Sequence, residues 1–189
     1  MDKKYELVPE LNIEFDGHTL YRIRALREIV LTDGTVVARG ELGGCIEVED
    51  NLSHAGNAWV SDSARVFGDA RVFGNARVSD SAWAFGDAQV SDSARVFGDA
   101  RVSDSAWVFG DAQVSDNARV FGDAWVSDSA RVFGDAWVSD SAWVYGDARV
   151  FGDARVSDSA RVFGDARVFG DARVSDSAWV FGDARVSQA

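Results

Sequence analysis

The chain is poor in the residues that enzymes most often use for chemistry. Its 189 residues include one cysteine and two histidines, and from Ala58 onward there is no histidine, lysine, glutamate, cysteine or threonine. One cysteine excludes an internal disulfide, and Cys45 is expected to be a small buried residue rather than a nucleophile. Any histidine base would have to be His18 or His54.

The chain also lacks a targeting pattern. Met1-Asp-Lys-Lys-Tyr does not resemble the start of a secretory signal peptide, and no apolar run is long enough to span a membrane. The formal net charge is −12, to which the 13 Arg and 20 Asp from Ala58 onward contribute −7. An acidic chain is not an obvious nucleic-acid binder. We therefore expect a cytoplasmic protein, with signal-independent export or release with phage particles as alternatives.

What the chain does have is one six-residue unit, repeated 22 times from Ala58 to Ala189 without an insertion. The unit reads Ala-x-Val followed by Phe-Gly-Asp or Ser-Asp-Ser, and its positions are called slots one to six. The departures are Asn75, Ala84, Asn117, Tyr145 and the terminal Ser187-Gln188-Ala189. Since enzymes built on repeats insert loops that carry their chemistry, this array favours a structural or binding role.

Each unit has the pattern of a short strand followed by a sharp corner. Ala and Val lie two residues apart and share one face of an extended strand. Slot five holds Gly, as in Gly68, or Asp, as in Asp62, until the terminal unit, and these residues tolerate positive φ best. Recurrent Gly and β-branched Val exclude a helix, and the regular apolar residues argue against disorder.

Strands that turn every six residues resemble the hexapeptide-repeat, left-handed parallel β-helix, in which three units form one triangular coil of about 18 residues. The resemblance implies an all-β fold and supplies the left-handed winding. It also implies about seven to eight coils, a prism about 35 Å tall, and an axis filled by Val66, Val72, Val78 and their equivalents.

Residues 1–45 are predicted to form an N-terminal β-hairpin cap, and residues 46–189 the β-helix. Asp16-Gly17 and Asp33-Gly34 each lie between apolar runs and indicate hairpins. Counting back in sixes puts Ile46 and Leu52 in slot one and Val48 and His54 in slot three, so the first coil should begin near Ile46. The chain has a candidate cap at its start and none at its end.

Three segments carry a further resemblance, to a group of largely uncharacterised hexapeptide-repeat proteins of bacteria and their prophages. The segments are Leu20-Tyr-Arg-Ile-Arg-Ala-Leu-Arg, Gly40-Glu-Leu-Gly-Gly-Cys-Ile-Glu and Asn51-Leu-Ser-His-Ala-Gly-Asn-Ala-Trp-Val. Members of this group are labelled as transferases or as polymer-forming proteins.

The resemblance also suggests catalytic sites to test. Hexapeptide acyltransferases use a histidine base near a subunit junction, whereas His18 and His54 fall in the cap and the first coil and are expected to be structural. The related carbonic anhydrases need three histidine ligands for zinc, and the chain has two. Stacked corner carboxylates such as Asp69 and Asp87 could attract Ca²⁺, but their simpler role is to cap turns. We predict no catalytic, cofactor-binding or metal-binding residue.

If three units form one coil, every third unit lies on the same face, and the outward slots two and four are divided among three faces. One face carries mostly Arg with Gln113 and Trp59, and a second carries mostly Arg with Trp83 and Trp137. The third holds Trp107, Phe109, Trp125, Trp143, Tyr145, Phe163, Trp179 and Phe181. These rings either stack to stabilise successive coils or bury against a partner.

The leading hypothesis is a non-enzymatic assembly module that self-associates through this aromatic face or through its uncapped C-terminal coil. The alternative is a phage- or bacterium-encoded protein that binds a host protein or glycan through the same face, although Trp rungs about 4.8 Å apart are too close for one sugar ring each. An acyltransferase-like enzyme comes third. Neither nucleic acid nor a membrane is an expected partner.

Overall fold

The computed structural model describes residues 3–188. Residues 1–2 and 189, the outermost residues of the two predicted domains, lie outside this range. The N-terminal segment contains two hairpins, a fifth strand and one 3₁₀ turn. Their bounds are β1 (Tyr5–Phe15), β2 (His18–Ala25), β3 (Ile29–Val30), β4 (Val36–Val37), β5 (Leu42–Ile46) and the 3₁₀ turn Glu49–Asn51.

From Trp59 onward the chain repeats one short strand in every unit. The first eleven are β6 (Trp59–Val60), β7 (Arg65–Val66), β8 (Arg71–Val72), β9 (Arg77–Val78), β10 (Trp83–Ala84), β11 (Gln89–Val90), β12 (Arg95–Val96), β13 (Arg101–Val102), β14 (Trp107–Val108), β15 (Gln113–Val114) and β16 (Arg119–Val120). The others are β17 (Trp125–Val126), β18 (Arg131–Val132), β19 (Trp137–Val138), β20 (Trp143–Val144), β21 (Arg149–Val150), β22 (Arg155–Val156), β23 (Arg161–Val162), β24 (Arg167–Gly170), β25 (Arg173–Val174), β26 (Trp179–Val180) and β27 (Arg185–Gln188).

These strands form three parallel sheets, because each strand inside the array pairs with the strands three before and three after it. The ten-stranded sheet runs β1-β2-β5-β7-β10-β13-β16-β19-β22-β25, the seven-stranded sheet contains every third strand from β8 to β26, and the eight-stranded sheet every third strand from β6 to β27. The fold is thus an all-β parallel β-solenoid of about eight coils, each about 18 residues long, as the repeat predicts.

The core is a single column of small aliphatic side chains along the solenoid axis. Val from slot three and Ala from slot one are buried throughout the array up to Val174. Slot five has positive φ as predicted, for example 56° at Asp62 and 66° at Gly68. Backbone hydrogen bonds link each coil to the next, such as Trp125 N–H to Ala142 O at 2.9 Å.

Both predicted hairpins are present. Asp16 and Gly17, with φ of 49° and 82°, connect β1 to β2, and Asp33-Gly34 lies between β3 and β4. β2 then pairs antiparallel with β5, which pairs parallel with β7, so the first hairpin extends the ten-stranded sheet. No helix among residues 3–188 is long and apolar enough to cross a membrane.

The slot assignment before Ala58 was wrong. Ile46 pairs with Val66, and Leu52 forms a bridge with Val72, so both occupy slot three rather than slot one. The reason is a corner of five residues, 53–57, between Leu52 and Ala58, where later corners have three. His54 therefore lies in this longer corner instead of pointing into the axis, and Val48 is exposed.

Candidate functional site

The outer face of the seven-stranded sheet, called the Trp face below, carries all the residues predicted for self-association. Slots two and four flank the buried Val and point outward from the same strand. The strand register places Trp107 beside Trp125, Trp125 beside Trp143, and Arg161 beside Trp179. The division of the sequence into three faces is therefore confirmed.

The slot-two column of this face contains a stack of indole rings. The rings of Trp107 and Trp125 have centroids 5.3 Å apart and planes 5° apart, and Trp125 and Trp143 are 5.0 Å and 3° apart. Arg161 continues the column, because its guanidinium carbon lies 4.7 Å from the Trp143 ring centroid and 5.4 Å from that of Trp179. The stack and the cation–π contacts tie neighbouring coils together.

The slot-four column is aromatic but interrupted. Tyr145 stacks on Phe163 at 4.9 Å, and Phe163 on Phe181 at 5.5 Å. Phe109 instead makes an edge contact with Trp125, with 6.0 Å between the ring centroids. Ser127 lies between Phe109 and Tyr145 in the column, and at this point the stack of slot-four rings is broken.

The interruption forms a shallow apolar groove. Its volume is about 300 Å³, and its lining is Phe109, Trp125, Ser127, Trp143 and Tyr145. Four of the eight residues predicted for self-association therefore line this groove, and the other four lie farther along the same two columns. Ser127 was not among the predicted residues, although it lies 18 residues from Phe109 and 18 residues from Tyr145 in the sequence.

The Trp face is exposed, whereas N-terminal hairpins contact both other faces. On the ten-stranded sheet, Phe67 is only 5% exposed, because Leu20 and Phe15 from the first hairpin pack against it. On the eight-stranded sheet, Asp33 from the second hairpin forms an ion pair with Arg77. On the Trp face, by contrast, Phe73 at the same end of the solenoid is 37% exposed, and Trp107 and Trp143 in the inner coils are 39% and 36% exposed.

Tryptophans on the ten-stranded sheet have a different environment, because arginines flank them. Arg101 lies 4.3 Å from the Trp83 ring, and Arg119 and Arg155 lie 5.2 Å and 4.7 Å from the Trp137 ring. Each of these rings is already covered on its flat faces by a charged side chain. The consecutive Trp rungs distinguish the Trp face from this sheet.

The corner aspartates of slot five form hydrogen bonds between neighbouring coils of the solenoid. Asp104 Oδ2 accepts a hydrogen bond from Gly122 N–H at 3.2 Å, and Asp80 Oδ2 accepts one from Gly98 N–H at 3.0 Å. In each case the donor belongs to the next coil, so the carboxylate links two turns of the chain. Within residues 3–188, no group of three or more His, Cys, Asp or Glu side chains could hold a metal ion.

Both histidines lie in the N-terminal region, and each forms a hydrogen bond with a neighbouring residue. His18 Nδ1 is hydrogen-bonded to Glu47 Oε1 at 2.9 Å, and Glu47 Oε2 accepts from Gly68 N–H at 2.8 Å. Burial alone would raise the pKa of Glu47, but these hydrogen bonds lower it below its usual value. The His54 ring stacks on Tyr5 at 4.3 Å, and its Nδ1 accepts from Lys4 N–H at 3.2 Å.

Lys4 and Tyr5, which were not among the predicted residues, connect the start of the chain to the solenoid by hydrogen bonds. The buried Lys4 Nζ donates to Ala58 O at 2.7 Å, and the Tyr5 hydroxyl lies 2.7 Å from Leu52 O. Burial, followed by the nearby charge of Arg27, lowers the pKa of Lys4 to about 8. Burial and the acidic side chains of the 3₁₀ turn raise the pKa of Tyr5 above its usual value. Burial likewise raises the pKa of Cys45.

The chain combines three parallel sheets around an aliphatic axis with an uninterrupted repeat and corner aspartates. These features define a β-solenoid repeat protein. The model of the YdcK beta-solenoid repeat matches residues 64–80, 70–86, 94–110, 112–128, 130–146, 148–164, 160–176 and 166–182. These segments cover more than half of the chain, which therefore belongs to the YdcK beta-solenoid repeat family. No curated protein matches the chain.

Proposed function

We propose that this β-solenoid is a non-enzymatic assembly module that self-associates through the Trp face. The observation that carries the proposal is the exposure of aromatic rings on one flat face, 39% at Trp107 and 36% at Trp143 in the inner coils. Contiguous apolar surface of this kind marks interaction sites on soluble proteins, and Trp, Tyr, Phe and Arg are the residues enriched at interfaces.

The rigidity of the face favours association further. Indole rings held by stacking on neighbouring rungs have little freedom left to lose when a partner covers them. The same stacking also stabilises adjacent coils, so the Trp ladder serves both roles in this proposal. The two histidines contribute hydrogen bonds to the N-terminal junction, a structural role that supports the non-enzymatic assignment.

A second route to self-association is the last coil. Within residues 3–188, strands β25, β26 and β27 end the three sheets, and each pairs with a neighbour on one side. Unpaired strand edges are templates for pairing with another chain. This route uses backbone groups rather than aromatic side chains, so substitutions on the Trp face distinguish the two routes.

The alternative function is binding of a foreign protein or glycan, and the groove at Ser127 is the observation that favours it. A groove of about 300 Å³ lined by aromatic rings can hold one planar group. This alternative predicts that the purified protein stays monomeric and that ring removal abolishes capture of the foreign partner.

The test is the double variant Trp107→Ala/Trp143→Ala, compared with Phe121→Ala/Trp137→Ala, which removes two contacting rings from the ten-stranded sheet. We expect the first variant to become monomeric and the second to keep the wild-type mass, with the far-ultraviolet circular dichroism of β-structure unchanged in both. An unchanged mass of the first variant would rule out the Trp face and leave the last coil as the route.

A further inference from the structure

The groove at Ser127 has the width of one aromatic ring. Phe109 and Tyr145 occupy the coils on either side of Ser127, and two strand spacings put their backbones about 9.5 Å apart. Ring stacking needs about 3.5 Å on each side of an inserted ring. Ser127 lines this groove, and its side chain, with a single oxygen beyond Cβ, is too short to fill the space between the two rings.

The Trp face also supplies a ring at the same height as this groove. Trp125 in slot two and Ser127 in slot four lie on the same strand, on either side of the buried Val126. Consider a twofold axis that runs parallel to the solenoid axis and lies outside the Trp face, above its column of buried Val residues. Rotation about this axis brings slot two of one copy opposite slot four of the other copy in the same coil. Two copies related by this axis therefore place Trp125 of each copy opposite Ser127 of the other.

The same axis also places each of the two arginines of the Trp face against an aromatic ring of the other copy. It puts Arg161 opposite Phe163 and Arg71 opposite Phe73, so each guanidinium meets an aromatic ring of the other copy instead of a second guanidinium. Cation–π contacts of this kind strengthen on desolvation, and like charges across an interface weaken it. The pairing is thus complementary in shape at Ser127 and in charge at both arginines.

Antiparallel packing is less complementary. An antiparallel pair centred on the rung of Trp125 places the two Ser127 grooves opposite each other and leaves them unfilled. Moving the centre by half a rung, so that Phe109 enters the groove, brings Arg71 opposite Arg161. Moving it half a rung the other way, so that Tyr145 enters the groove, pairs six rungs instead of seven and leaves Arg71 outside the contact. An unfilled apolar space loses contact energy, paired cations repel, and a shorter overlap buries fewer rings, so all three arrangements are weaker than the parallel one.

We propose that the partner of the Trp face is a second copy of this chain, packed side by side and parallel. Trp125 of each copy fills the groove at Ser127 of the other. This inference rests on the proposed self-association and adds the partner, its orientation and the seat of the contact. The second copy would give the slot-four column its missing ring.

The direct test is Ser127→Phe, which fills the groove from within and extends the stack between Phe109 and Tyr145. We expect the dimer dissociation constant, measured by sedimentation, to rise about tenfold or more. The matched control is Ser103→Phe on the ten-stranded sheet. Ser103 is equally buried, also lies between two phenylalanines in its column, and makes the same hydroxyl contact with the following aspartate. The control should associate like the wild type.

A second pair of variants covers the case in which Ser127→Phe does not fold. Trp125→Gln removes the inserted ring and introduces the residue already present in slot two at Gln89 and Gln113. It should also weaken the dimer about tenfold, whereas Trp137→Gln on the ten-stranded sheet should leave it unchanged. Equal effects of the two glutamine variants would overturn the proposal.

Orientation is tested by disulfide formation in a mixture of Arg71→Cys and Phe73→Cys chains. Parallel packing predicts a mixed disulfide, because slots two and four of one coil face each other across the interface. A protein that associates but forms no mixed disulfide, or whose association is insensitive to Ser127→Phe, overturns this inference and leaves self-association intact. A wild-type protein that stays monomeric overturns both.

Discussion

Gly122 lies directly against Asp140 of the next coil. A Cβ atom added to Gly122 would lie 2.8 Å from the backbone nitrogen of Asp140, closer than packed atoms allow. The φ angle of Gly122 is 70°, so an L-residue there would also be strained. The short distance between coils, not only the turn geometry, thus favours glycine at this corner.

Gly122→Ala should therefore destabilise the protein more than Gly182→Ala. Both residues have positive φ, but a Cβ atom on Gly182 would meet nothing within 4 Å. We expect a loss of about 1 kcal/mol for Gly182→Ala from backbone strain, and about 2–4 kcal/mol for Gly122→Ala. Urea unfolding followed by circular dichroism measures both losses, and equal losses would show that contact between the coils is unimportant.

Asn51 should be the most sensitive polar residue of the first coil. Its Oδ1 accepts from Glu47 N–H and Val48 N–H, and its Nδ2 donates to Gly68 O and Ala70 O, at 2.9–3.0 Å in each case. Asn51→Asp would place a carboxylate against two carbonyl oxygens, at a cost of about 2–4 kcal/mol.

The control for Asn51 is Asn117→Asp. Asn117 is exposed in slot six, where aspartate is common in other units. Its Nδ2 donates to Asp135 Oδ1 at 3.0 Å, but this pair is exposed and screened by solvent, so we expect a change of at most about 1 kcal/mol. Thermal unfolding of the two variants in parallel tests the prediction, and comparable melting temperatures would contradict it.

The N-terminal junction should make stability depend on pH above 8. Below pH about 8 Lys4 is protonated in both the folded and the unfolded states, and its desolvation weakens the fold. Between pH about 8 and 10 the folded protein releases this proton before the unfolded chain does, so Lys4 should raise stability by about 2 kcal/mol. The raised pKa of Cys45 acts in the opposite direction in this pH range and offsets part of the rise. Above pH 10 the raised pKa of Tyr5 acts in the opposite direction, because the unfolded chain then binds fewer protons.

Lys4→Met should abolish the rise between pH 8 and 10. Denaturant titrations at several pH values give the free energy of unfolding as a function of pH for the wild type and for the variant, and the two slopes are then compared. Identical slopes would mean that Lys4 is not the group responsible. The decline above pH 10 should remain in Lys4→Met, because Tyr5 is unchanged in it.

The repeat predicts most of the fold because each unit contains its own strand and corner. Positive φ at Asp62 and Gly68, the three faces and the Trp107–Trp125–Trp143 stack all follow from a period of six and three units per coil. The slots of the first coil could not be predicted in this way. The corner before Ala58 is two residues longer than the others, and it places Ile46 and Leu52 in slot three. Nothing in the local pattern signalled that change.

The site was predictable in its position and less so in its details. The aromatic residues of the Trp face could be assigned because slots two and four alternate with a buried Val. The contacts of Lys4, Tyr5 and His54 could not, because they join residues about 50 positions apart that share no periodicity. The groove at Ser127 depends on neighbours in adjacent coils and becomes evident only when the coils are stacked.

The most direct test of self-association is the mass of the intact protein in solution, measured by light scattering over a wide concentration range. The account predicts a mass that rises with concentration to twice the 20.4 kDa of one chain. A mass that stays at 20.4 kDa throughout would contradict it, and the Trp face would then serve the stability of the solenoid or a foreign partner.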